Sequence, residues 1–124
     1  MNLDMEGWDI TFVDEINELF MEIRSRQFEI LILDIMAPTP EMENKYVNFT
    51  SKEIEEMDGG MNTGIVLAQK IWKFKKNAPI LFLSAKEQPE SIDIFLSEGK
   101  KCGYLRKPPF PEDFSKSLND LLNK

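Results

Sequence analysis

The chain has 124 residues, of which 42% are hydrophobic and 30% are charged, and its formal net charge at pH 7 is −7. This length and balance predict one globular domain with a hydrophobic core of its own. The negative charge, with no compensating basic patch, argues against nucleic acid as a partner, because phosphate contacts need cations. The chain contains no histidine, which excludes histidine-based catalytic triads and histidine-ligated zinc sites. Its chemistry must therefore rest on carboxylates, hydroxyls, lysine and a hard metal ion.

Targeting signals are not evident in the sequence. No apolar run approaches the roughly 20 residues that a membrane-spanning helix needs. The amino-terminal stretch Met1–Glu6 lacks the basic start and apolar centre of a signal peptide. The single cysteine, Cys102, excludes an internal disulfide and is consistent with a reducing compartment. We therefore expect a cytoplasmic protein with no membrane partner.

The first part of the chain predicts a strand, a helix and a second strand. Asp9–Val13 is typical of a short strand, and apolar residues at helical spacing predict an amphipathic helix over Glu15–Arg26. The almost unbroken apolar run Phe28–Leu33 predicts a strand buried on both faces, as in the middle of a parallel sheet. Asp34 follows at its carboxyl end, where open α/β sheets place their binding crevice.

Residues 39–58 form an acidic insert, which at about twenty residues is longer than most connections between elements. Thr50 and Glu53 fit a capping box and predict a short helix over Ser51–Met57. The insert could be a functional or mobile rim, or a solvated surface excursion, and the sequence leaves both open. Four methionines near it could form an adaptable contact surface or fill the core; they are Met36, Met42, Met57 and Met61.

The second half of the chain continues to alternate helices and strands. The patterns predict helices over residues 62–76, 89–98 and 112–122, and strands over residues 80–83 and 103–106. Regular alternation is typical of an α/β fold in which helices cover both faces of a parallel sheet. The predicted architecture is therefore a three-layer sandwich.

Three polar residues, Asp34, Ser84 and Lys107, lie at the carboxyl ends of predicted strands. Because parallel strands all end at the same edge of the sheet, we expect these residues to converge. A carboxylate can attack phosphorus, while a hydroxyl and an ammonium group stabilise the oxygens of the transferred group. Considered alone, Asp34 could equally be a helix cap or a turn residue, and Ser84 a plain strand-end hydroxyl.

The motifs around these residues resemble those of response-regulator receiver domains of the chemotaxis type. In chain order they are LILDIMAP at residues 31–38, FLSA at residues 82–85 and YLRKP at residues 104–108. The resemblance covers roughly residues 9–124 and implies the flavodoxin-like topology of that family.

The resemblance implies a role for each of these residues. Asp34 would be the phosphoacceptor, and Ser84 and Lys107 would contact the phosphoryl group. Tyr104 matches the aromatic switch position, which moves inward when the hydroxyl is drawn to the phosphate. The peptide bond between Lys107 and Pro108 is expected to be cis.

The resemblance also implies a Mg²⁺ site at Asp34 and the backbone carbonyl of Met36. A receiver opens with a strand that ends in two acidic residues, which bind this ion together with the phosphoacceptor. Here the strand over residues 10–13 corresponds to the family's second strand, so we expect an amino-terminally truncated fold with four strands instead of five. The Mg²⁺ site is accordingly expected to be weakened or absent.

Two features near the site have open alternatives. If the strand over residues 10–13 lies beside Phe28–Leu33, Asp14 and Glu15 would flank Asp34 as a surrogate acidic pocket for Mg²⁺; otherwise they simply begin a helix. The insert separates Asp34 from the Asp58–Gly59 pair, which follows within a few residues in most receivers, and so remodels the rim of the pocket.

Two functions of different classes remain open. In the first, Asp34 accepts a phosphoryl group from a partner histidine kinase or phosphotransfer protein, and the chain then switches a binding face for a downstream protein. It would be no enzyme beyond its own phosphorylation and dephosphorylation. In the second, a degenerate receiver acts without phosphorylation as an interaction or dimerisation module, pairing as a homodimer through an exposed sheet edge. A phosphohydrolase ranks lower, because Met36 replaces the second acid of its Asp-x-Asp motif.

Overall fold

A computed structural model of the chain describes residues 11, 13, 15–25 and 27–123. In this part of the chain three strands alternate with five α-helices and one short 3-10 turn. The strands are β1 (Leu31–Asp34), β2 (Ile80–Ser84) and β3 (Cys102–Arg106). The helices are α1 (Ile16–Ser25), α2 (Ser51–Glu56), α3 (Thr63–Phe74), α4 (Glu90–Ser97) and α5 (Pro111–Leu122), and the 3-10 turn is Asp58–Gly60.

The three described strands form one parallel sheet in the order β1-β2-β3. Every residue of β2 is buried, whereas in β1 only Leu33 is. β2 is therefore buried on both faces. The strand expected over Phe28–Leu33 is β1, which packs on both faces, with Leu33 in one core and Ile32 against the other, but only Leu33 of this strand is fully buried. The apolar run there begins before the strand: Phe28 lies outside β1, and its ring packs under the Lys75 ammonium at 4.8 Å. The expected strand over residues 9–13 lies largely outside the described residues.

Helices cover both faces of this sheet, which confirms the three-layer arrangement. On one face Leu33 and Phe82 pack into a core that includes buried residues of α1, α3 and α4. On the other face Leu81 and Leu83 pack against the buried side of α5. That side of α5 consists of Phe114, Leu118 and Leu121. Among the described residues, no helix is both long and apolar enough to cross a bilayer.

The acidic insert is folded onto the first of these cores. Val47 and Phe49 are buried, and the Phe49 ring meets Phe20 of α1 edge-on at a centroid distance of 6.4 Å. The hypothesis of a solvated surface excursion is therefore wrong for this part of the insert. The apolar side chains pack inward, while the acidic residues of the insert other than the partly buried Glu53 are exposed.

The predicted capping box is present at the start of α2, and its glutamate also forms an ion pair with a lysine of α3. The Glu53 amide donates to Thr50 Oγ1 at 3.1 Å, and the Thr50 amide donates to Glu53 Oε1 at 2.9 Å. Lys70 Nζ lies 3.0 Å from the same carboxylate. Burial on its own would raise the pKa of Glu53, but the Thr50 amide and the Lys70 ammonium outweigh it and lower the pKa.

The methionines near the insert divide between the two interpretations. Met57 is fully buried in the core. Met36, Met42 and Met61 are exposed. Met57 therefore fills the core, whereas the three exposed methionines are available for a surface contact.

Candidate functional site

Asp34 and Lys107 form an ion pair at the carboxyl edge of the sheet. Lys107 Nζ lies 2.7 Å from Asp34 Oδ1, with side chains that are 34% and 49% exposed, respectively. Asp34 ends β1 and Lys107 follows β3, so the pair spans the end of β2. The backbone supports this approach, because the Lys107 amide donates to the Ser84 carbonyl at 2.7 Å and the Ile35 amide donates to the Leu83 carbonyl at 2.9 Å.

Ser84 ends β2, the strand that separates the two partners of the ion pair. Its side chain is buried, and its hydroxyl accepts a hydrogen bond from the Lys86 amide at 3.1 Å. A hydroxyl has one proton to donate besides its acceptor lone pairs. Within the described residues the Ser84 hydroxyl serves only as an acceptor, so its proton is available to an oxygen atom of a bound group.

The loop after Asp34 is held by the start of α3. The Gly64 amide donates to the Ile35 carbonyl at 2.8 Å, and Thr63 Oγ1 donates to the Ala37 carbonyl at 2.7 Å. A β-carbon on residue 64 would lie only 2.1 Å from the Asp34 carbonyl oxygen. Glycine is required there because the helix and the strand end touch through their backbones. The sequence pattern predicted a helix from residue 62 but gave no sign of this contact.

The described residues fit a divalent cation poorly. Asp34 already pairs with Lys107, and the Met36 carbonyl, although it accepts no hydrogen bond within the described part, is one neutral ligand. Glu15 caps α1, accepting the Asn17 and Glu18 amides at 3.0 Å each. Asp14 lies outside the described residues, and those that are described hold no group of three or more potential metal ligands. Mg²⁺ prefers a site with more anionic oxygen than this.

Solved structures show which fold this arrangement belongs to. The receiver domain of the Francisella response regulator 1452 superposes with a TM-score of 0.63 at 23% identity, covering 95% of this chain and 78% of that one. A CheY-like response regulator receiver domain protein from Methanospirillum hungatei JF-1 gives a TM-score of 0.58 at 18% identity, covering 98% of this chain and 78% of that one. The chain has the receiver fold. No protein-family model matches it, and neither does any curated protein sequence.

Tyr104, the residue that the resemblance matches to the switch aromatic, lies in β3. The ring packs against the core on the α3 and α4 side of the sheet. Its hydroxyl is buried and has no hydrogen-bond partner among the described residues. The side chain therefore already points inward. The peptide bond between Lys107 and Pro108, at the end of the same motif, is cis.

Two further cations lie at the strand ends and turns of this edge, and the sequence reasoning missed both. Arg106 ends β3, and its Nε lies 3.4 Å from the Ala85 carbonyl oxygen, which places its head over the turn after Ser84. Lys86 belongs to that turn through its amide bond to Ser84 Oγ. The signal that could have revealed them was their place in the sequence: Arg106 directly precedes Lys107, and Lys86 directly follows the FLSA motif.

Proposed function

We propose that the chain is a receiver module that accepts a phosphoryl group on Asp34 from a partner histidine kinase or phosphotransfer protein. Phosphorylation would change the face that it offers to a downstream protein. The observation that carries this proposal is the contact of 2.7 Å between Lys107 Nζ and Asp34 Oδ1, formed across the strand end that carries Ser84.

The side chains at this edge suit phosphoryl transfer to a carboxylate. Asp34 is half exposed, so a donor can reach it. One of its oxygens forms a bond to phosphorus while the bond from phosphorus to the donor's leaving atom breaks, and the leaving group keeps that electron pair. Lys107 and the Ser84 hydroxyl stabilise the phosphoryl oxygens. The chain itself supplies the acceptor and contacts, and no activity on other substrates is proposed.

The switch would start at Ser84. If its hydroxyl donates its proton to a phosphoryl oxygen, the resulting shift of the side chain also displaces the turn that carries the Lys86 amide, from which the hydroxyl accepts. That turn leads directly into residues 87–89 and then α4. The face that carries α4 and the Tyr104 strand is therefore the one that we propose to respond.

An alternative is an interaction or dimerisation module that works without phosphorylation. Two observations favour it: Lys107 already neutralises Asp34, and the Tyr104 hydroxyl is already buried. A module of this kind would bind its protein partner, or a second copy of the chain, equally well before and after treatment with a phosphodonor.

Incubation with acetyl phosphate and Mg²⁺, followed by intact-mass analysis, tests the proposal. We expect a mass increase of one phosphoryl group in the wild type and none in Asp34→Asn. Asp58→Asn, which removes an exposed carboxylate from the 3-10 turn, is the matched control and should label normally. Failure of the wild type to label, from acetyl phosphate and from phosphotransfer proteins alike, would contradict the proposal. A tight dimer by sedimentation would then favour the alternative.

A further inference from the structure

We propose that the phosphoryl group on Asp34 is neutralised by cations of the chain itself, Lys107, Arg106 and Lys86, without a divalent metal ion. This inference rests on the proposed function and concerns the same site. It follows from the described residues at this edge of the sheet, where Lys107, Arg106 and Lys86 accompany Asp34.

Lys107 supplies the first and closest of these charges. It already contacts Asp34 Oδ1 at 2.7 Å, so its ammonium group needs only a small movement to reach an oxygen of a phosphoryl group attached to that carboxylate. Its backbone is fixed by the amide bond to the Ser84 carbonyl at 2.7 Å. The Lys107 ammonium group is therefore held beside the Asp34 carboxylate, and it neutralises the charge that a metal ion would otherwise neutralise.

Arg106, at the end of β3, and Lys86, in the turn after Ser84, supply the second and third charges. The contact of 3.4 Å between Arg106 Nε and the Ala85 carbonyl oxygen keeps the guanidinium over the turn after Ser84. Lys86 donates its amide to the Ser84 hydroxyl, so the same turn carries its ammonium. Both side chains are exposed and free to move toward a new anion.

The charge balance at this edge favours an anion over a cation. Among the described residues, the strand ends and turns of this edge carry three positive side chains, Lys107, Arg106 and Lys86, and the carboxylates of Asp34 and the exposed Glu87. Phosphorylation adds up to about one further negative charge, because the phosphoryl group brings between −1.5 and −2 near pH 7 while the Asp34 carboxylate loses its own charge. The cations then balance the anions. A divalent ion entering the site before transfer would instead meet a surplus of positive charge, which disfavours its binding.

The full-length chain is labelled with acetyl phosphate in two buffers, one with Mg²⁺ and one freed of divalent ions by a chelator. The initial rate of phosphorylation is read by intact mass. We expect equal rates in the two buffers. A site that relied on the ion would slow by on the order of a hundredfold on its removal, as when one electrostatic stabiliser is deleted.

Charge-neutral variants identify the groups responsible. Arg106→Gln and Lys86→Gln should each slow labelling in the chelator buffer by about fivefold, the effect of one exposed charge contact. Lys76→Gln removes an exposed cation beyond the carboxyl end of α3 and should leave the rate unchanged. Circular dichroism confirms that each variant is folded.

The outcomes separate this inference from the proposed function. Labelling only with Mg²⁺ overturns the inference and leaves Asp34 as the phosphoacceptor. Labelling in neither buffer overturns both. Metal-free labelling that neither Arg106→Gln nor Lys86→Gln slows overturns the assignment of the cations. A readout independent of labelling is calorimetric titration of the phosphorylated chain with MgCl₂: we expect no saturable binding, and a saturable isotherm contradicts the inference.

Discussion

Gly64 and Asp34 meet through their backbones, so that a β-carbon on residue 64 would lie 2.1 Å from the Asp34 carbonyl oxygen. This contact joins the start of α3 to the end of β1 and sets the direction in which the loop carrying Met36 leaves the site. The loop is held further by the hydrogen bond from the Gly64 amide to the Ile35 carbonyl. The position of Asp34 therefore depends on the absence of one side chain.

Gly64→Ala should destabilise the fold, because the new methyl group meets backbone atoms that cannot turn aside. We expect a loss of about 2 kcal/mol or more in the free energy of unfolding, the range for overpacking a rigid contact. Urea denaturation measures it. Gly103→Ala is the matched control, since a β-carbon there makes an ordinary contact of 3.4 Å with Leu81 Cδ1. Equal stability of the two variants would contradict the argument.

Lys107→Gln should change the rate of phosphorylation much more than the free energy of unfolding. We expect it to slow phosphorylation of Asp34 by on the order of a hundredfold, because it removes a cation from the developing charge. The free energy of unfolding should change by less than about 1 kcal/mol, since an ion pair this exposed contributes little to stability. Labelling kinetics and urea denaturation give the two values. Lys116→Gln, which alters an exposed lysine of α5, should change neither. A large loss of stability in Lys107→Gln would indicate a structural role instead.

Much of the site could be predicted from the sequence, because strand-end positions in a parallel sheet converge whatever the details of packing. Asp34 and Lys107 meet as expected, and Ser84 ends the strand between them. The cations Arg106 and Lys86 escaped prediction, since single charges beside a motif are common on any surface. Their relevance depends on where the turn after Ser84 places them.

Burial was harder to predict than topology. The run over residues 28–33 is as apolar as β2, yet only Leu33 of β1 is buried, because burial depends on which elements lie against each face. A pattern of apolar residues does not contain that information. In the insert the sequence suggested too little burial instead of too much. Its many carboxylates are typical of a solvated segment, yet Val47 and Phe49 are buried.

Phe49→Ala tests whether the insert belongs to the core. Phe49 is buried against Phe20, and Lys70 Nζ lies 5.5 Å from the centre of its ring. Truncation leaves a cavity, so we expect a loss of about 3 kcal/mol in the free energy of unfolding. Met42→Ala removes an exposed side chain from the same insert and should cost less than about 0.5 kcal/mol. Thermal and urea denaturation check both. A cost for Phe49→Ala no larger than that of Met42→Ala would mean that the insert is not part of the core.

Glu53 should give the fold a dependence on pH. Its pKa is lowered below the ordinary value of 4.5, so its carboxylate stabilises the fold at neutral pH, and this contribution is lost as pH falls through the lowered pKa. Glu53→Gln should therefore be less stable than the wild type by about 1 kcal/mol at neutral pH. The difference should shrink as the pH falls below 4.5. Glu56→Gln, exposed on the same helix, controls for loss of charge alone. A difference between Glu53→Gln and the wild type that is constant with pH would contradict the assignment.

Glu15→Gln decides between a helix cap and a surrogate metal ligand. Both carboxylate oxygens accept amides of α1, so we expect a loss of about 0.5 kcal/mol in stability, typical of a charge at a helix amino terminus. Calorimetric titration with Mg²⁺ should give the same isotherm as the wild type, and so should Asp14→Asn, which tests the other member of the pair. Glu29→Gln, exposed between α1 and β1, is the control. Weaker Mg²⁺ binding in Glu15→Gln or Asp14→Asn, with stability unchanged, would instead indicate an acidic pocket beside Asp34. A metal ion would then take part in the phosphorylation of Asp34.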